Sequence, residues 1–280
     1  MASKTLSENI NQAISDFGSI KQAIIDKGVE VPSGTPTSQY GAKIGEIQSG
    51  GGSDEDFISV IERTATNPRL PSGLTKIGDY AFYKYTNLVK PTLPNSVTTI
   101  GQYAFYYCTN LALTSLPSGL TEIGTNAFYY CTNLALTSLP SSVTSIGEYA
   151  FNGCTNLALT SLPSGLTTIG YAAFSSCTNL ALTSLPNSLT SIGNYAFYYC
   201  TSLALTSLPD SLTSIGNSAF ISCTGLTEIT FKGKPNSISA YAFSGCTNLT
   251  TIRVPWSEGE VANSPWGASS ASIIYNYTET

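Results

Sequence analysis

Seven cysteines stand at Cys108, Cys131, Cys154, Cys177, Cys200, Cys223 and Cys246, and every gap is 23 residues. Phenylalanine keeps the same step from Phe82 through Phe105, Phe128, Phe151, Phe174, Phe197 and Phe220 to Phe243. Cut before the prolines, residues 71–254 fall into eight units of 23 with no insertion. A strict period of this length marks stacked, equivalent coils. One coil cannot bury its apolar face alone, so the chain folds as a solenoid whose stability lies in the stack.

A middle unit, residues 94–116, reads PNSVTTIGQYAFYYCTNLALTSL. The V/L-T-x-I stretch after the proline is short and β-branched, which suits a strand. The glycine that follows (Gly78, Gly101, Gly124 and onward) permits a positive-φ turn. In x-Y-A-F-x-x-C, Ala, Phe and Cys fall at i, i+1 and i+4, which predicts a single helical turn. The T-N-L-x-L-T-S-L run is a second extended piece, ended by a proline that cannot donate to a ladder. The expected fold is therefore a β-rich solenoid of eight coils with short helical turns. Val/Leu, Ile, Ala, Phe, Cys and Leu turn inward and stack at about 4.8 Å on their equivalents.

The unit L-P-x-S-L-T-x-I-G-x-Y-A-F-x-x-C-T-N-L resembles the BspA-like, or Treponema-type, leucine-rich repeat class, whose hallmark is a 23-residue unit with I-G-x-x-A-F-x-x-C. The resemblance covers residues 71–254 and implies a leucine-rich repeat solenoid. Two departures stand out: Tyr85 replaces the first Cys, and Lys232 replaces the eighth Pro. In the middle coils the family's L-x-x-I-x-(L/I)-P becomes L-A-L-T-S-L-P; only Leu226–Phe231 and Leu249–Val254 keep it. This leaves open whether Leu113, Leu136, Leu159, Leu182 and Leu205 point in or out, and burial with a local backbone adjustment is the expectation.

Composition closes off most chemistry. The chain has 12 Lys+Arg, 17 Asp+Glu and no His. Without His there is no Ser-His-Asp triad, Cys-His dyad or His-ligated zinc. A single-file cysteine ladder reads as small buried thiols filling one core layer, and not as a metal or disulfide framework. The carboxylates Asp54, Asp56, Glu258 and Glu260 sit in a linker and a terminal loop, without the polar partners of a glycosidase pair. Gly50-Gly51-Gly52 lacks the Lys-Ser/Thr of a phosphate loop. The protein is read as a non-enzyme without cofactor. Between Lys90 and Lys232 there is no Lys or Arg, so nucleic acid and anionic membranes are poor partners. No window approaches 18 consecutive apolar residues, so no membrane insertion is expected. The N-terminus lacks the apolar region of a signal peptide, which points to synthesis in a bacterial cytoplasm.

Residues 57–70 read as an N-terminal cap opened by a strand at 57–66, and residues 255–280, with Trp256 and Trp266, as a C-terminal cap. Residues 50–56 form a Gly-rich linker. Residues 1–49 form a small helical module, with apolar positions at helical spacing over Leu6–Lys27 and Thr37–Gln48. The phrase IKQAIIDKGVEVPSGTPTSQYGAKIGEI (20–47) resembles N-terminal segments of bacteriophage tail and baseplate-associated proteins. The C-terminal VPWSEGEV with YNYT resembles ends of such proteins. That resemblance implies a virion-attached chain; the apolar stripes of residues 1–49, too short to fold alone, call for a partner, either other tail proteins or a second copy in a homo-oligomer.

The units vary at the two positions before Ala and the two after Phe. There Tyr, Ser, Asn and Gly dominate, the palette of antibody binding loops. The candidate contact stripe is Tyr103, Tyr106, Tyr107, Tyr129, Tyr130, Tyr195, Tyr198 and Tyr199; the bland alternative is tyrosines stacked between coils, shielding the ridge. Three functions stay open: a phage tail-associated component binding a host cell-surface glycan or protein, a bacterial leucine-rich repeat interaction scaffold in the cytoplasm, and an architectural spacer.

Overall fold

The computed structural model describes residues 65–278, Pro71 excepted. The expected helical module at 1–49, the linker at 50–56 with Asp54 and Asp56, and most of the expected opening strand lie outside those residues. Twelve short strands follow one another: β1 (Lys76–Ile77), β2 (Thr99–Ile100), β3 (Glu122–Ile123), β4 (Ser145–Ile146), β5 (Thr168–Ile169), β6 (Ser191–Ile192), β7 (Ser207–Leu208), β8 (Ser214–Ile215), β9 (Glu228–Phe231), β10 (Ser237–Ile238), β11 (Thr251–Arg253) and β12 (Ser272–Ile274). The chain winds about nine times, because residues past 254 add a turn to the eight expected from the period.

One strand per coil comes from T-x-I. Its isoleucine faces the core and its neighbour faces out, so pairing in any other register exposes the isoleucines. The pairing is parallel and in step, Ile77 opposite Ile100 and Ile100 opposite Ile123. Two runs result, β1-β2-β3-β4 and β5-β6-β8-β10, and the ladder is interrupted between β4 and β5. A second ladder, β7-β9-β11-β12, forms toward the C-terminal end, and at the other end the same column holds a single parallel bridge, Arg69 with Thr92. The ladder's absence from the middle coils follows from the order of apolar residues. Leu226, Ile229 and Phe231 are buried at steps of three then two, whereas Leu111, Leu113 and Leu116 are buried at steps of two then three. The same length of chain is used, but Thr114 and Ser115 both face solvent, which breaks strand alternation. Leu113, Leu136, Leu159, Leu182 and Leu205 are all buried.

The x-Y-A-F-x-x-C segment is not a helical turn; no helix occurs among the described residues. Its amides alternate in direction. Those of Ala104, Tyr106 and Cys108 donate within the coil to residues three back, at 3.4, 3.2 and 3.0 Å. Those of Tyr103, Phe105 and Tyr107 donate to carbonyls of Thr125, Ala127 and Tyr129 in the next coil, at 2.9, 2.7 and 2.7 Å. Tyr103 and Tyr107 accordingly have φ of 55° and 56°. A helical turn would aim these buried amides along its own axis, whereas the stack offers each one a carbonyl on the neighbouring coil, and buried amides must be paired. That gain outweighs the left-handed penalty of about 1–2 kcal/mol per residue.

The glycine after each strand also has a different role from the expected one, since none of Gly101, Gly124 and Gly147 has positive φ. These glycines allow close approach between coils. A Cβ on Gly124 would lie 2.7 Å from the carbonyl carbon of Gly101 and 2.8 Å from the amide of Gln102. Gly124→Ala is therefore expected to destabilise by about 1–3 kcal/mol, the range for overpacking. Gly73, where an added Cβ meets nothing within 4 Å, is the control. Equal midpoint shifts for the two alanines in guanidinium unfolding would contradict the close-approach explanation.

Phenylalanine rings from Phe82 to Phe243 form an unbroken buried column, with centroids 5.1–5.7 Å apart and planes within 10°. Beside it each cysteine thiol donates to the Phe carbonyl of the preceding coil, from Cys108 to Phe82 at 2.9 Å through Cys246 to Phe220 at 3.0 Å. Coil 1 (residues 71–93) has no preceding Phe. Tyr85, in the cysteine's place, reaches further and donates its hydroxyl to the Ala65 carbonyl at 2.8 Å. Burial pushes the Cys131, Cys154, Cys177, Cys200 and Cys223 thiols well up, and Cys246 to about 12. Thiolate is the reactive form, so no cysteine of the native protein is expected to react with a disulfide reagent at pH 8, and all seven react on unfolding. Labelling of any one within minutes would contradict this. At the C-terminal end, β12 pairs with β11, and Trp256 and Trp266 pack on Phe231 at 5.2 and 5.9 Å. Trp266, 23 residues past Phe243, is fully buried, and its indole donates to the Ala262 carbonyl at 2.8 Å.

Candidate recognition surface

The alternating turn that replaces the helix decides where the tyrosines go. Positive φ recurs at the residue before Ala and at the second residue after Phe: Tyr80 and Lys84, Tyr103 and Tyr107, Tyr195 and Tyr199. Chain direction reverses locally at each, so the side chains stand on the outer ridge while Ala and Phe between them stay buried. Because coils repeat in register, like side chains stack. Tyr80 lies on Tyr103 at 4.8 Å and 6°. Tyr83, Tyr106 and Tyr129 form a column at 5.0 and 4.8 Å, and Tyr107 lies on Tyr130 at 5.1 Å and 5°.

Tilted contacts join the columns. Tyr106 meets Tyr107 at 4.9 Å and Tyr129 meets Tyr130 at 4.8 Å. Tyr129, Tyr149, Tyr171, Tyr195 and Tyr198 then continue ring to ring at 6.3, 5.0, 5.6 and 5.9 Å, and Tyr199 closes the series 4.6 Å from Tyr198. All eight tyrosines of the sequence-derived stripe belong to this one network, together with Tyr80, Tyr83, Tyr149 and Tyr171. Tyr171 stands one column earlier than the others, where its neighbours are Glu148 and Asn194; reading down single columns misses it. Tyr241, at 62% exposure, stands outside the network.

Stacking has a chemical consequence. Within the first three coils both faces of a central ring such as Tyr106 are covered, so this stretch presents ring edges and hydroxyls. Burial first, then the neighbouring Tyr129, Tyr83, Tyr107 and Tyr103, raise the Tyr106 hydroxyl to about 12. Burial likewise raises Tyr129 and Tyr149, the latter helped by a hydrogen bond with Tyr171. These hydroxyls are neutral donors and acceptors throughout the physiological range. Lys84, with its ammonium 5.3 Å from the Tyr83 ring, bounds the ridge at its first coil.

Two ion pairs lie toward the C-terminal end. Glu260 pairs with Lys234 at 2.7 Å and accepts from the Ser257 amide at 2.9 Å. The Lys234 hydrogen bond, foremost, holds its carboxyl down to about 2, the opposite of what a general acid needs. Glu228 pairs with Arg253 at 2.7 Å. An open hollow of about 430 Å³ is lined by Lys90, Thr92, Thr114 and Pro117 among others, and by no tyrosine.

A family model described as the BspA type leucine-rich repeat region matches residues 62–181 and 144–266. A leucine-rich repeat protein from Bacteroides ovatus superposes with TM-score 0.55 at 27% identity, over 76% of this chain and 61% of that one. The T. pallidum leucine-rich repeat protein is 31% identical with TM-score 0.44, over 66% of this chain and 79% of that one. A leucine-rich cell surface protein from Faecalibacterium prausnitzii is 25% identical with TM-score 0.40, over 73% and 70%. No curated protein matches. The chain spans about three-fifths of the Bacteroides protein's length. Its repeats carry the family match from residue 62 to residue 266, and the chain belongs to the BspA-type leucine-rich repeat family.

Proposed function

We propose that this chain is a non-enzymatic bacterial interaction protein whose tyrosine ridge contacts a glycan or protein displayed on a cell surface. The observation that carries the reading is the single network of twelve tyrosines along six coils, on a stretch without Lys or Arg between Lys90 and Lys232. Rigid amphipathic rings give contact area at low entropic cost, and rings already held by their neighbours lose little on binding. Changing Tyr106, Tyr107, Tyr129 and Tyr130 together to Ser is expected to lower attachment to a bacterial cell-envelope fraction at least about thirtyfold, the loss of one ~2 kcal/mol anchor. Far-UV circular dichroism and thiol protection check that the variant folds. Unchanged attachment would move the contact to the strand side of the solenoid.

The virion-attached version of the reading rests on the resemblance of residues 20–47. Its test is chymotryptic proteomics of particles purified after prophage induction, because the interior between Lys90 and Lys232 offers trypsin no site. Ridge peptides banding with particles support it. Ridge peptides in the soluble cell fraction, while tail proteins band, leave an interaction protein without a virion.

A further inference from the structure

The tyrosine ridge is broken at coils 4 and 5 (residues 140–185) by a recess, and we infer that this recess binds the end of a neutral saccharide. The inference deepens the recognition reading above and rests on it. Where the third coil carries Tyr129-Tyr130 and the sixth Tyr198-Tyr199, coils 4 and 5 carry Asn152-Gly153 and Ser175-Ser176. The underlying Phe column runs on unbroken, in steps of 5.3, 5.4 and 5.7 Å from Phe128 to Phe197. The two tyrosine walls therefore stand three coil steps apart, which at the spacing of the Phe column leaves roughly 13 Å at their base after ~3.5 Å of ring thickness is allowed for. Tyr149, Tyr171 and Tyr195 join the walls along one side. The result is a frame of rings closed on three sides. Its fourth side holds Thr155, Asn156, Thr178 and Asn179.

The frame differs from the stacked columns in that no ring of coil 4 or coil 5 stacks in parallel on its two walls. Tyr198, half-buried, meets Tyr195 edge-on and Tyr199 at a tilt, and no other ring contacts it among the described residues. Tyr130 is different, since its ring lies over Gly153, where an added Cβ would come within 2.8 Å of Cδ2. The floor is Asn152 and Ser176, both half-buried, with Ser175 buried between them; none of the three side chains makes a hydrogen bond among the described residues. Ring faces suit the apolar face of a sugar, and amide and hydroxyl groups suit its hydroxyls. The charge pattern selects a neutral one: no Lys or Arg lies between Lys90 and Lys232, and the nearby Glu148 is exposed, so an acidic sugar finds no cation. Three-sided closure selects a chain end over a peptide in extended proline-type conformation, which needs a groove open at both ends.

The test is to probe the full-length chain on an array of neutral oligosaccharides, sialylated and sulfated glycans, and proline-rich peptides. The decisive variant fills the recess, Ser175→Tyr with Ser176→Tyr. Ser176 has φ of 60°, and tyrosine already occupies that state at Tyr107, Tyr130 and Tyr199, at 56°, 54° and 58°, so the variant continues the neighbouring columns. Wild type is expected to bind neutral glycans sharing one terminal residue. The filled variant is expected to lose that signal at least about tenfold, an energy near 1.4 kcal/mol, with its thiols still protected. Thr183→Ala, on another exposed face, binds as wild type. Binding unchanged in the filled variant, binding only to acidic glycans or peptides, or no binding to the array overturns the inference. If the filled variant stays attached to the cell-envelope fraction while the four-tyrosine variant does not, the recess falls and the ridge reading stands. If both stay attached, both fall.

Discussion

Phe151→Ala is expected to remove about 3–5 kcal/mol, the range for truncating a fully buried phenylalanine. Phe151 has no exposed surface and lies between Phe128 at 5.3 Å and Phe174 at 5.4 Å. Its carbonyl also accepts the Cys177 thiol at 3.0 Å. The cavity has little means of collapse, because the rings on either side are fixed by their own neighbours along the column. In a solenoid the loss falls on nearest-neighbour interfaces, and here it falls beside the interruption between β4 and β5. Unfolding of the variant is therefore expected to split into two steps. Mass spectrometry of thiol labelling in guanidinium reads this directly, with the cysteines on the two sides of coil 4 becoming reactive at different denaturant concentrations. One concerted transition, shifted by less than about 1 kcal/mol, would show that the column does not carry the stack.

Removing residues 140–162, one whole coil, is expected to leave a folded and shorter solenoid. The new junction joins Leu139 to Pro163 and restores the Leu-Pro step, so every inward column closes up by one place. Stability falls by about one coil and its interfaces, and the denaturant slope falls with the surface buried. Removing only residues 140–150 is expected to abolish folding. It brings the Phe column of one side against a different position of the next coil and leaves the inter-coil amides of that junction without carbonyls. Circular dichroism and thiol protection of the two proteins decide it. If both deletions fold equally well, the register described for the stack is wrong.

The solenoid was legible because one number, 23, fixes which residues can meet. Once Phe82, Phe105 and their successors share a step, they must stack, and burial of the Ile, Ala, Cys and Leu columns follows. The inward turn of Leu113 and its equivalents was legible as an expectation, but the exchange of a three-two for a two-three spacing, with Thr114 and Ser115 both exposed, shows only in the structure. The turn was misread for a definite reason. Ala, Phe and Cys at i, i+1 and i+4 fit a helix, and local periodicity contains nothing about carbonyls one coil away. Those carbonyls decide the matter, by pairing the amides of Tyr103, Phe105 and Tyr107. The same neighbour explains the glycines, which are required by the backbone of the preceding coil and not by their own φ. The candidate stripe was legible column by column. Contacts that run across columns, from Tyr149 through Tyr171 to Tyr195, were not, and neither was the frame they close around Asn152, Ser175 and Ser176.

Tyrosine iodination tests the central claim most directly. The intact protein is treated with a limiting amount of reagent, free and attached to a bacterial cell-envelope fraction, and modification is mapped by chymotryptic peptides. If the ridge is the contact surface, Tyr130 and Tyr199, exposed at 38% and 46% in the free chain, become protected, while Tyr277 near the C-terminal end keeps its reactivity. Unchanged iodination of Tyr130 and Tyr199 on the attached protein would contradict the account and place recognition on another face of the solenoid.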